Sequence, residues 1–501
     1  MMYTSEQEMI GALVYENPFL PSRIALEKAI LGDAFVADTN VWSRDIRHES
    51  RPNLAAIGAR AETLLKRMPK GGPHYEDLVT YVLYDRYSEK LVELDGRERV
   101  AFYDDFVADA RSLLDDPPDL PHLFACFYQV RRAFLHTFTY LVGTSMRAAR
   151  LRADVWCSIF SRDLRRYRRS LFERMNDVTT LIIGPTGTGK ELVARAIALS
   201  RYIPFDARTR RFAAAPDALF SGLNLSALSP ALIESELFGH RKGAFTGALA
   251  DREGWLEECS PFGSVFLDEV GELDPSIQVK LLRVLQTRTF QRIGDTTTRH
   301  FAGKIIAATN RDLAAASAAG EFRRDFYYRL NADVITTPSL REQLDENPKE
   351  LRHLVTHIAT NVAGDEEADA ITEDVMKVIG RKLGPEYPWS GNFRELEQCV
   401  RRIMIRGDYE PSMIAPTQPA VLDGRMTEEE MLRWYTNLVY QQSGSYQEAA
   451  RRLGIDRRTA RARLGRPTGP PEALSSSPTP RSRCESRLRR RRLGCRGGRF
   501  L

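Results

Sequence analysis

The sequence predicts a multidomain α/β protein in which a parallel-sheet domain lies between two all-helical regions. Apolar residues recur at helical spacing before about residue 145, and short apolar strands alternate with helices between about 150 and 340. The segment Ser445–Gly465 has the pattern of a helix, a glycine turn and a second short helix. A chain of 501 residues is too long for one hydrophobic core, so we expect three or four domains.

The composition is that of an ordinary globular protein. Three features of the sequence indicate that the protein is cytoplasmic. Hydrophobic residues make up 43% of the chain and charged residues 28%. No apolar run approaches the roughly 18 residues that span a bilayer, and the N-terminal segment lacks the basic and apolar parts of a signal peptide. The six cysteines are scattered without a Cys-x-x-Cys pair, which indicates a reducing compartment and argues against structural zinc.

The net charge of +5 arises from the C-terminal tail. Residues 467–501 contain nine arginines and two glutamates, a net +7, so residues 1–466 carry −2. This Pro-, Ser- and Arg-rich tail is expected to be disordered. The tail could add nonspecific affinity for phosphate. Alternatively it has no role, either as a solvated extension or as the product of a shifted reading frame, and the absence of a role is the favoured interpretation.

The first domain, residues 1–145, is predicted to be mostly helical and regulatory. Segments His74–Leu94 and His122–Val142 have apolar residues three and four apart. The region lacks the acidic strand ends of a phosphate-receiver domain, which favours control by a small ligand or a protein partner. Its aromatic residues either fill a helical core, the favoured interpretation, or line a ligand pocket. They are Phe124, Phe127, Tyr128, Phe134, Phe138 and Tyr140.

Three further domains follow from the pattern. Residues 146–345 form the α/β domain, because their strands are apolar throughout and suit a parallel sheet covered on both faces. Residues 346–412 return to helix. A proline-containing linker then leads to a small helical unit at residues 425–466.

The segment Leu181–Glu191, LIIGPTGTGKE, predicts a phosphate-binding loop between a strand and a helix. Its glycines let backbone N–H groups close around phosphates, and Lys190 would reach the β- and γ-phosphate oxygens of ATP. Glu191 replaces the usual Ser or Thr and removes one magnesium-binding hydroxyl, so the loop alone could be a simple glycine turn. The predicted ATP-binding residues here are Gly184, Pro185, Thr186, Gly187, Thr188, Gly189, Lys190 and Glu191.

Two later strands supply polar groups that support the ATP site. Asp268 and Glu269 end an apolar strand 78 residues after Lys190. Asp268 would bind Mg²⁺ directly or through water, and Glu269 would polarise the attacking water. Asn310 ends a third strand and could contact the γ-phosphate. Parallel strands bring such groups to one edge of a sheet, so together these motifs predict ATP hydrolysis.

The region from Thr179 to Arg402 resembles the AAA+ ATPases, and within them the bacterial enhancer-binding proteins that activate sigma-54 RNA polymerase. In that family Glu follows the P-loop lysine, as Glu191 does here, and GAFTGA is the signature loop. The resemblance implies an AAA+ parallel sheet with a helical lid, and a loop that engages the sigma factor as ATP is hydrolysed. The loop residues are Gly243, Ala244, Phe245, Thr246, Gly247 and Ala248.

Other roles are implied by this resemblance. Asn224 matches the asparagine that holds the catalytic glutamate, here Glu269. Arg323 and Arg329 match the arginine fingers that enter a neighbour's ATP site, and Arg394 matches a nucleotide sensor in the lid. The family also implies assembly from dimers to a hexameric ring.

Several segments depart from the family pattern. Pro185 stands where the family commonly has Glu, and Thr336–Gln343 replaces a proline-rich stretch. Arg152–Met175 replaces the usual family opening. These departures bear on how the N-terminal domain is coupled to the ATPase domain, and not on the chemistry of ATP hydrolysis.

The segment Ser445–Gly465 resembles the Fis-type helix–turn–helix found at the C-terminus of this family. Gly454 would make the turn and Asp456 would cap the second helix. The resemblance implies binding to upstream enhancer DNA. The predicted contact residues are Arg457, Arg458, Thr459, Arg461 and Arg463.

The sequence therefore predicts an ATP- and Mg²⁺-dependent transcriptional activator with sigma-54 RNA polymerase holoenzyme and enhancer DNA as partners. Two alternatives remain at this stage. One is a general AAA+ remodeller with another client, and the other is a DNA-binding regulator that has lost polymerase activation. The intact Gly243–Ala248 loop together with the helix–turn–helix argues against the first, and the intact loop argues against the second.

Overall fold

The computed structural model describes residues 5–36, 52–72, 74–115, 117, 119–411, 427–443 and 445–464. The chain divides into two compact units, Met1–Pro411 and Ser412–Leu501. The predicted boundaries near residues 145 and 345 lie inside the first unit and stay predictions. The predicted tail, residues 467–501, lies outside the described residues.

The first part of unit one is helical, as the spacing of apolar residues predicts. Among the described residues, the first strand begins only at Thr180. The two segments singled out from the sequence form α4 and α6. The helices are α1 (Glu6–Leu13), α2 (Pro21–Leu31), α3 (Pro52–Leu65), α4 (Tyr75–Val92), α5 (Tyr103–Leu113), α6 (Leu120–Tyr140) and α7 (Met146–Phe160).

Aromatic residues of α6 fill the core of this helical region. Phe124 and Phe127 are buried, and the Phe124 ring lies 5.1 Å from that of Phe106. The same core includes Phe205 and Phe212 from a short hairpin, β2 (Phe205–Asp206) with β3 (Arg211–Phe212). The helices and this hairpin of the α/β region therefore share one hydrophobic core.

A five-stranded parallel sheet forms the centre of unit one, in the order β4-β5-β8-β1-β9. The three strands predicted from the sequence are confirmed as β1, β5 and β8. They pair in parallel, so their carboxyl ends meet at one edge of the sheet. The strands are β1 (Thr180–Ile183), β4 (Phe220–Asn224), β5 (Ser264–Asp268), β8 (Lys304–Thr309) and β9 (Asp333–Thr336). A second hairpin joins β6 (Thr289–Phe290) to β7 (Arg299–His300).

Helices cover the sheet because its central strands are apolar on both faces. Every residue of β8 is buried. After a three-residue α8 (Leu164–Arg166), the helices are α9 (Lys190–Leu199), α10 (Pro230–Phe238), α11 (Trp255–Glu258), α12 (Pro275–Thr287), α13 (Leu313–Ala318) and α14 (Arg324–Leu330).

Four helices after the sheet form a separate core. Leu354, Val375, Leu396 and Trp389 are buried together there. A capping box at Ser339 begins the first of these helices. They are α15 (Leu340–Glu346), α16 (Glu350–Ala363), α17 (Asp365–Lys382) and α18 (Asn392–Arg406). The predicted multidomain α/β fold, with a helical segment after the sheet, is confirmed.

Unit two contains three helices: α19 (Glu428–Ser443), α20 (Tyr446–Leu453) and α21 (Arg457–Leu464). Ala449 and Ala450 are buried, and Gly454 takes the left-handed conformation at the end of α20. No helix of either unit, within the described residues, is long and apolar enough to cross a membrane.

Candidate nucleotide-binding and loop sites

The loop between β1 and α9 is held in a shape that requires glycine at two positions. Gly184 has φ 153° and Gly187 has φ 80°. A Cβ at Gly184 would overlap Thr337, and one at Gly187 would overlap the backbone of Gly391. The glycines therefore permit both the left-handed backbone and close packing of the loop against the segment after β9 and against the lid.

Side chains within the loop fix its conformation. The Lys190 Nζ donates to the carbonyl oxygens of Gly184 (3.0 Å) and Pro185 (3.2 Å). The Thr188 hydroxyl donates to Pro185 O at 2.8 Å and lies 2.7 Å from Thr337 Oγ1. Glu191 is exposed and forms an ion pair with Arg195. The ammonium group of Lys190 thus lies over the curve of the loop, where phosphates bind in such loops.

The polar ends of β1, β5 and β8 meet beside this loop, as predicted. Asn310 Nδ2 donates to Thr186 Oγ1 at 3.0 Å, and the Asn310 backbone N–H donates to Glu269 Oε2 at 3.4 Å. The Glu269 backbone N–H donates to Asp268 Oδ1 at 3.1 Å. The sheet therefore brings the P-loop, the two carboxylates and Asn310 into one site.

Burial and mutual charge shift the ionisation of this site. Burial, reinforced by the charge of Glu269, raises the pKa of Asp268. Burial lowers the pKa of Lys190, and the carboxylates of Glu269 and Asp268 oppose that shift. Closely spaced acidic and basic groups in a partly buried site are typical of functional centres.

The helical lid contacts the loop directly. The Asn392 Nδ2 donates to Thr186 O, and its Oδ1 accepts from the Leu340 backbone N–H, at 3.0 and 2.9 Å. Arg394, the predicted sensor, is exposed, and its positive charge contributes to the lowered pKa of Lys190. Sequence reasoning missed Asn392, although the Gly-Asn pair in the lid motif was a usable signal.

Asn224 lies next to Asp268 in the parallel pairing of β4 and β5. Its Oδ1 accepts from the Ser226 backbone N–H (3.0 Å) and hydroxyl (2.8 Å). Among the described residues, no hydrogen bond joins Asn224 to Glu269. The predicted contact between them stays a prediction.

The two predicted arginine fingers lie at opposite ends of α14 and outside the loop site. Arg323 pairs with Asp325 through its Nη2 at 2.7 Å, and its backbone N–H donates to Gln278. Arg329 is exposed and makes no ion pair with any described residue. Within the described residues, neither arginine forms a hydrogen bond or ion pair with the P-loop, and their role as arginine fingers stays a prediction.

The Gly243–Ala248 loop is a tight turn that exposes its tip. The Gly243 N–H donates to Ala248 O at 2.9 Å, which closes the turn, and Gly243 and Gly247 have φ of 80° and 102°. Phe245 is 43% exposed, and its ring meets that of His240 edge-on with centroids 4.9 Å apart. Thr246 is also exposed. The aromatic tip is thus supported on one side and open on the other.

A charged brace holds the base of this loop. Arg241 pairs with Asp251 at 2.6 Å and with Asp295 at 3.3 Å, and Asp295 in turn pairs with Arg299 at 2.8 Å. The Arg241 N–H also donates to Ile293 O. The β6–β7 hairpin therefore supports the loop, a function that its sequence did not signal because the partners lie about 50 residues apart.

In unit two the predicted cap is confirmed. Asp456 Oδ1 accepts from the backbone N–H groups of Arg458 and Thr459, and its Oδ2 accepts from the Thr459 hydroxyl. Thr459 thus supports the start of α21. Arg457, Arg458 and Arg461 are exposed, and Arg463 is half-buried.

Residues 162–336 match the family model of the sigma-54 interaction domain. The chain is 40% identical over 310 residues to the transcriptional regulatory protein ZraR of Klebsiella oxytoca, covering 58% of this chain and 64% of that protein. It is 43% identical over 232 residues to the Nif-specific regulatory protein of Herbaspirillum seropedicae, covering 46% and 39%. The chain thus spans less than two thirds of these relatives.

Among solved structures, NtrX from Brucella abortus in complex with ATP covers 72% of this chain, with 25% identity and a TM-score of 0.41. That alignment covers 75% of the NtrX chain. The central region, residues 162–336, is thus similar to the sigma-54 interaction domain, and it contains both the Gly243–Ala248 loop and the P-loop.

Proposed function

We propose that this protein is a transcriptional activator that hydrolyses ATP and uses the Gly243–Ala248 loop to remodel sigma-54 RNA polymerase. The observation that carries the proposal is the loop itself. It is complete, it lies within the matched sigma-54 interaction domain, and its tip residues Phe245 and Thr246 are exposed on a braced base. An exposed aromatic on a supported turn is suited to contact a protein partner.

ATP would bind where the P-loop, Asp268, Glu269 and Asn310 meet. Backbone N–H groups of the loop and the start of α9 would hold the phosphates, and Lys190 would turn from the loop carbonyls to them. Glu269 would orient and deprotonate the attacking water, with Asn310 near the γ-phosphate. A bound magnesium ion would neutralise charge on the phosphates.

The residues present fit magnesium rather than a metal held wholly by protein. Within the described residues, no cluster of three or more His, Cys, Asp or Glu side chains could hold a metal ion. Mg²⁺ usually takes one or two carboxylates and completes its shell with water and phosphate oxygens. Asp268 would provide that carboxylate, directly or through water.

We further propose that Arg323 and Arg329 act in the ATP site of a neighbouring subunit of a ring, which the family resemblance suggests is a hexamer. Arg394 would report nucleotide to the lid. Helix α21 would bind enhancer DNA through its exposed arginines, and the protein would act in the cytoplasm with the polymerase. The exposure of Arg457, Arg458 and Arg461 on one short helix supports the proposal that α21 binds DNA. Arginine is a common contact residue for both phosphate groups and guanine bases.

The experiment is promoter opening with purified sigma-54 polymerase, ATP and the full chain. We expect Thr246→Ala to hydrolyse ATP at the native rate and to form fewer than a tenth of the native open complexes. Thr209→Ala, an exposed threonine on the β2–β3 turn, is the matched control and should behave as native. If the native chain hydrolyses ATP and binds DNA yet opens no sigma-54 promoter, the client is a different one and the proposal fails.

A further inference from the structure

A cavity of about 860 Å³ opens among the N-terminal helices. Helix α6 contributes Gln129 to the cavity wall, together with Cys126, Phe127, Val130, Arg131 and Phe134, whose spacing of three and four places them on one helix face. One face of α4 and the segment from Trp156 to Arg168 provide further walls. The volume lies within the range that small organic ligands occupy in proteins, about 300–1,000 Å³.

The inner walls of the cavity are aromatic. The Tyr84 and Phe127 rings meet edge-on at 5.4 Å, and Trp156 lies 5.0 Å from Phe134 and 4.5 Å from Phe160, between ring centroids. Such walls favour a planar aromatic ligand, because offset and edge-on ring contacts stabilise beyond area burial alone.

One cation that lines the cavity, Arg131, has no hydrogen-bond or ion-pair partner among the described residues. Arg131 Nε is buried without a hydrogen bond, and no described residue forms an ion pair with Arg131. The other lining arginines are engaged: Arg23 pairs with Glu27 at 2.9 Å, and Arg168 donates to Thr80 Oγ1 at 3.3 Å. Arg131 is half-buried, and its guanidinium presents to the cavity a planar fork that matches a carboxylate.

The acidic residues that line the cavity limit the negative charge that a ligand can carry. Four acidic residues line the cavity: Glu16 is half-buried, whereas Asp85, Glu89 and Glu93 are exposed and lie on its solvent side. Three carboxylates there disfavour a ligand with several negative charges, such as a nucleotide. A ligand with one carboxylate on an aromatic ring satisfies both Arg131 and the aromatic walls.

Helix α6 joins this cavity to the P-loop helix. Gln129 Nε2 donates to Ser200 O at 3.0 Å, and Arg132 Nη1 donates to Leu199 O at 2.6 Å, both at the end of α9. The cavity residue Trp156 also belongs to the core that contains Val193 of α9. A displacement of α6 would therefore be transmitted to α9, the helix that begins at Lys190.

We propose that the cavity binds a planar aromatic carboxylate of one or two rings, and that this ligand regulates ATP hydrolysis through the junction of α6 and α9. The carboxylate pairs with Arg131, and the ring packs against Phe127, Phe134 and Trp156. The regulatory part rests on the proposed function, whereas the binding part does not.

Binding is tested first, by isothermal titration calorimetry on the full chain without ATP. The probes are benzoate, 4-hydroxybenzoate, 2-naphthoate and indole-3-carboxylate, each compared with its neutral carboxamide. We expect at least one carboxylate to bind at least tenfold more tightly than its carboxamide. Binding of no carboxylate below millimolar concentration, or equal binding of acid and amide, would overturn the ligand assignment.

Variants then test the role of Arg131. Arg131→Gln should weaken carboxylate binding at least tenfold, Arg131→Lys should retain part of it, and the exposed Arg111→Gln should match the native chain. Thermal unfolding of each variant shows whether it is folded. Unchanged affinity in folded Arg131→Gln would contradict the proposal, and if that variant unfolds, the acid–amide comparison on the native chain decides.

Regulation is tested by the ATPase rate of the native chain with and without the bound probe. A change of threefold or more that is lost in Arg131→Gln supports coupling. Binding without any change in rate overturns the regulatory part alone. Absence of ATPase activity under all conditions counts against the proposed function, and the calorimetric result on ligand binding still stands.

Discussion

At the scale of single residues, the proposed ATP site includes a residue with an uncommon backbone conformation. Glu269 has φ 56° and ψ 47°, the left-handed region that non-glycine residues seldom adopt. Such a conformation costs on the order of 1–3 kcal/mol and persists where the surroundings determine it. Here the buried strand β5 fixes the preceding residues, and the bend places the Glu269 carboxylate beside Asn310.

Lys304, at the start of β8, is a second unusual residue because its ammonium group is buried. Its Nζ donates to Val178 O at 2.6 Å and to Met175 O at 3.4 Å. Burial lowers the pKa of Lys304 to about 7, whereas an unfolded lysine has a pKa near 10.4. Between these two values the unfolded chain binds the proton and the folded chain does not.

We therefore predict that this residue makes the fold more stable as pH rises from 7 to 9, by up to about 1.4 kcal/mol per pH unit. Lys304→Met should remove that slope, and the exposed Lys377→Met should leave it intact. The measurement is the denaturant midpoint of unit one at pH 7, 8 and 9. Equal slopes in the native chain and Lys304→Met would contradict the prediction.

At the scale of elements, the linker between α6 and α7 is fastened to the helical lid. The Thr144 backbone N–H donates to both carboxylate oxygens of Glu350 at 2.8 Å, and the Thr144 hydroxyl also donates to that carboxylate. Glu350 is fully buried. The Met146 N–H donates to Glu346 at 3.1 Å. The first turn of α7 and the lid helices are thus joined by charge-assisted hydrogen bonds, which set the lid beside the N-terminal helices.

We predict that Glu350→Gln destabilises unit one by about 1.5–3 kcal/mol, the usual value of hydrogen bonds to a charged group. The matched change Glu373→Gln removes an exposed partner of Arg352 and should cost less than about 1 kcal/mol. Chemical denaturation of the full chain measures both. A Glu350→Gln variant as stable as Glu373→Gln would show that the buried carboxylate has no such role.

At the scale of the whole molecule, we propose that the ATP site is completed only in an assembly. The loop, Asp268, Glu269 and Asn310 lie together, whereas Arg329 is exposed on α14 without a described partner. An arginine that acts in a neighbouring subunit typically contributes ~10³–10⁵ in rate. ATP hydrolysis should therefore rise more steeply than protein concentration as subunits assemble.

We predict that Glu269→Gln and Arg329→Ala are each nearly inactive alone and regain activity when mixed. In a mixed ring, the Arg329→Ala subunit still supplies Glu269, and its neighbour supplies Arg329, so some sites are intact. Arg324→Ala, five residues earlier on the same helix, is the control and should be active by itself. The measurement is the ATPase rate of the mixture against each variant alone, and no recovery on mixing would argue against action between subunits.

Sequence by itself determined the elements and the local motifs of this protein. The apolar strands, the P-loop glycines, the acidic end of β5, the turn at Gly454 and the cap at Asp456 all follow from short-range patterns. These depend on backbone conformation and on the direction of side chains along one element, both of which a few neighbouring residues specify.

Only the tertiary structure decided which distant residues meet. The brace from Asp295 to Arg241, the contact of Asn392 with Thr186 and the clamp from Glu350 to Thr144 join segments about 50 to 200 residues apart. It also decided that the aromatics of α6 serve two purposes, since Phe124 fills a core while Phe127 and Phe134 also line a cavity. Helical spacing marks a buried face, but the neighbours across that face determine whether it encloses a core or a ligand site.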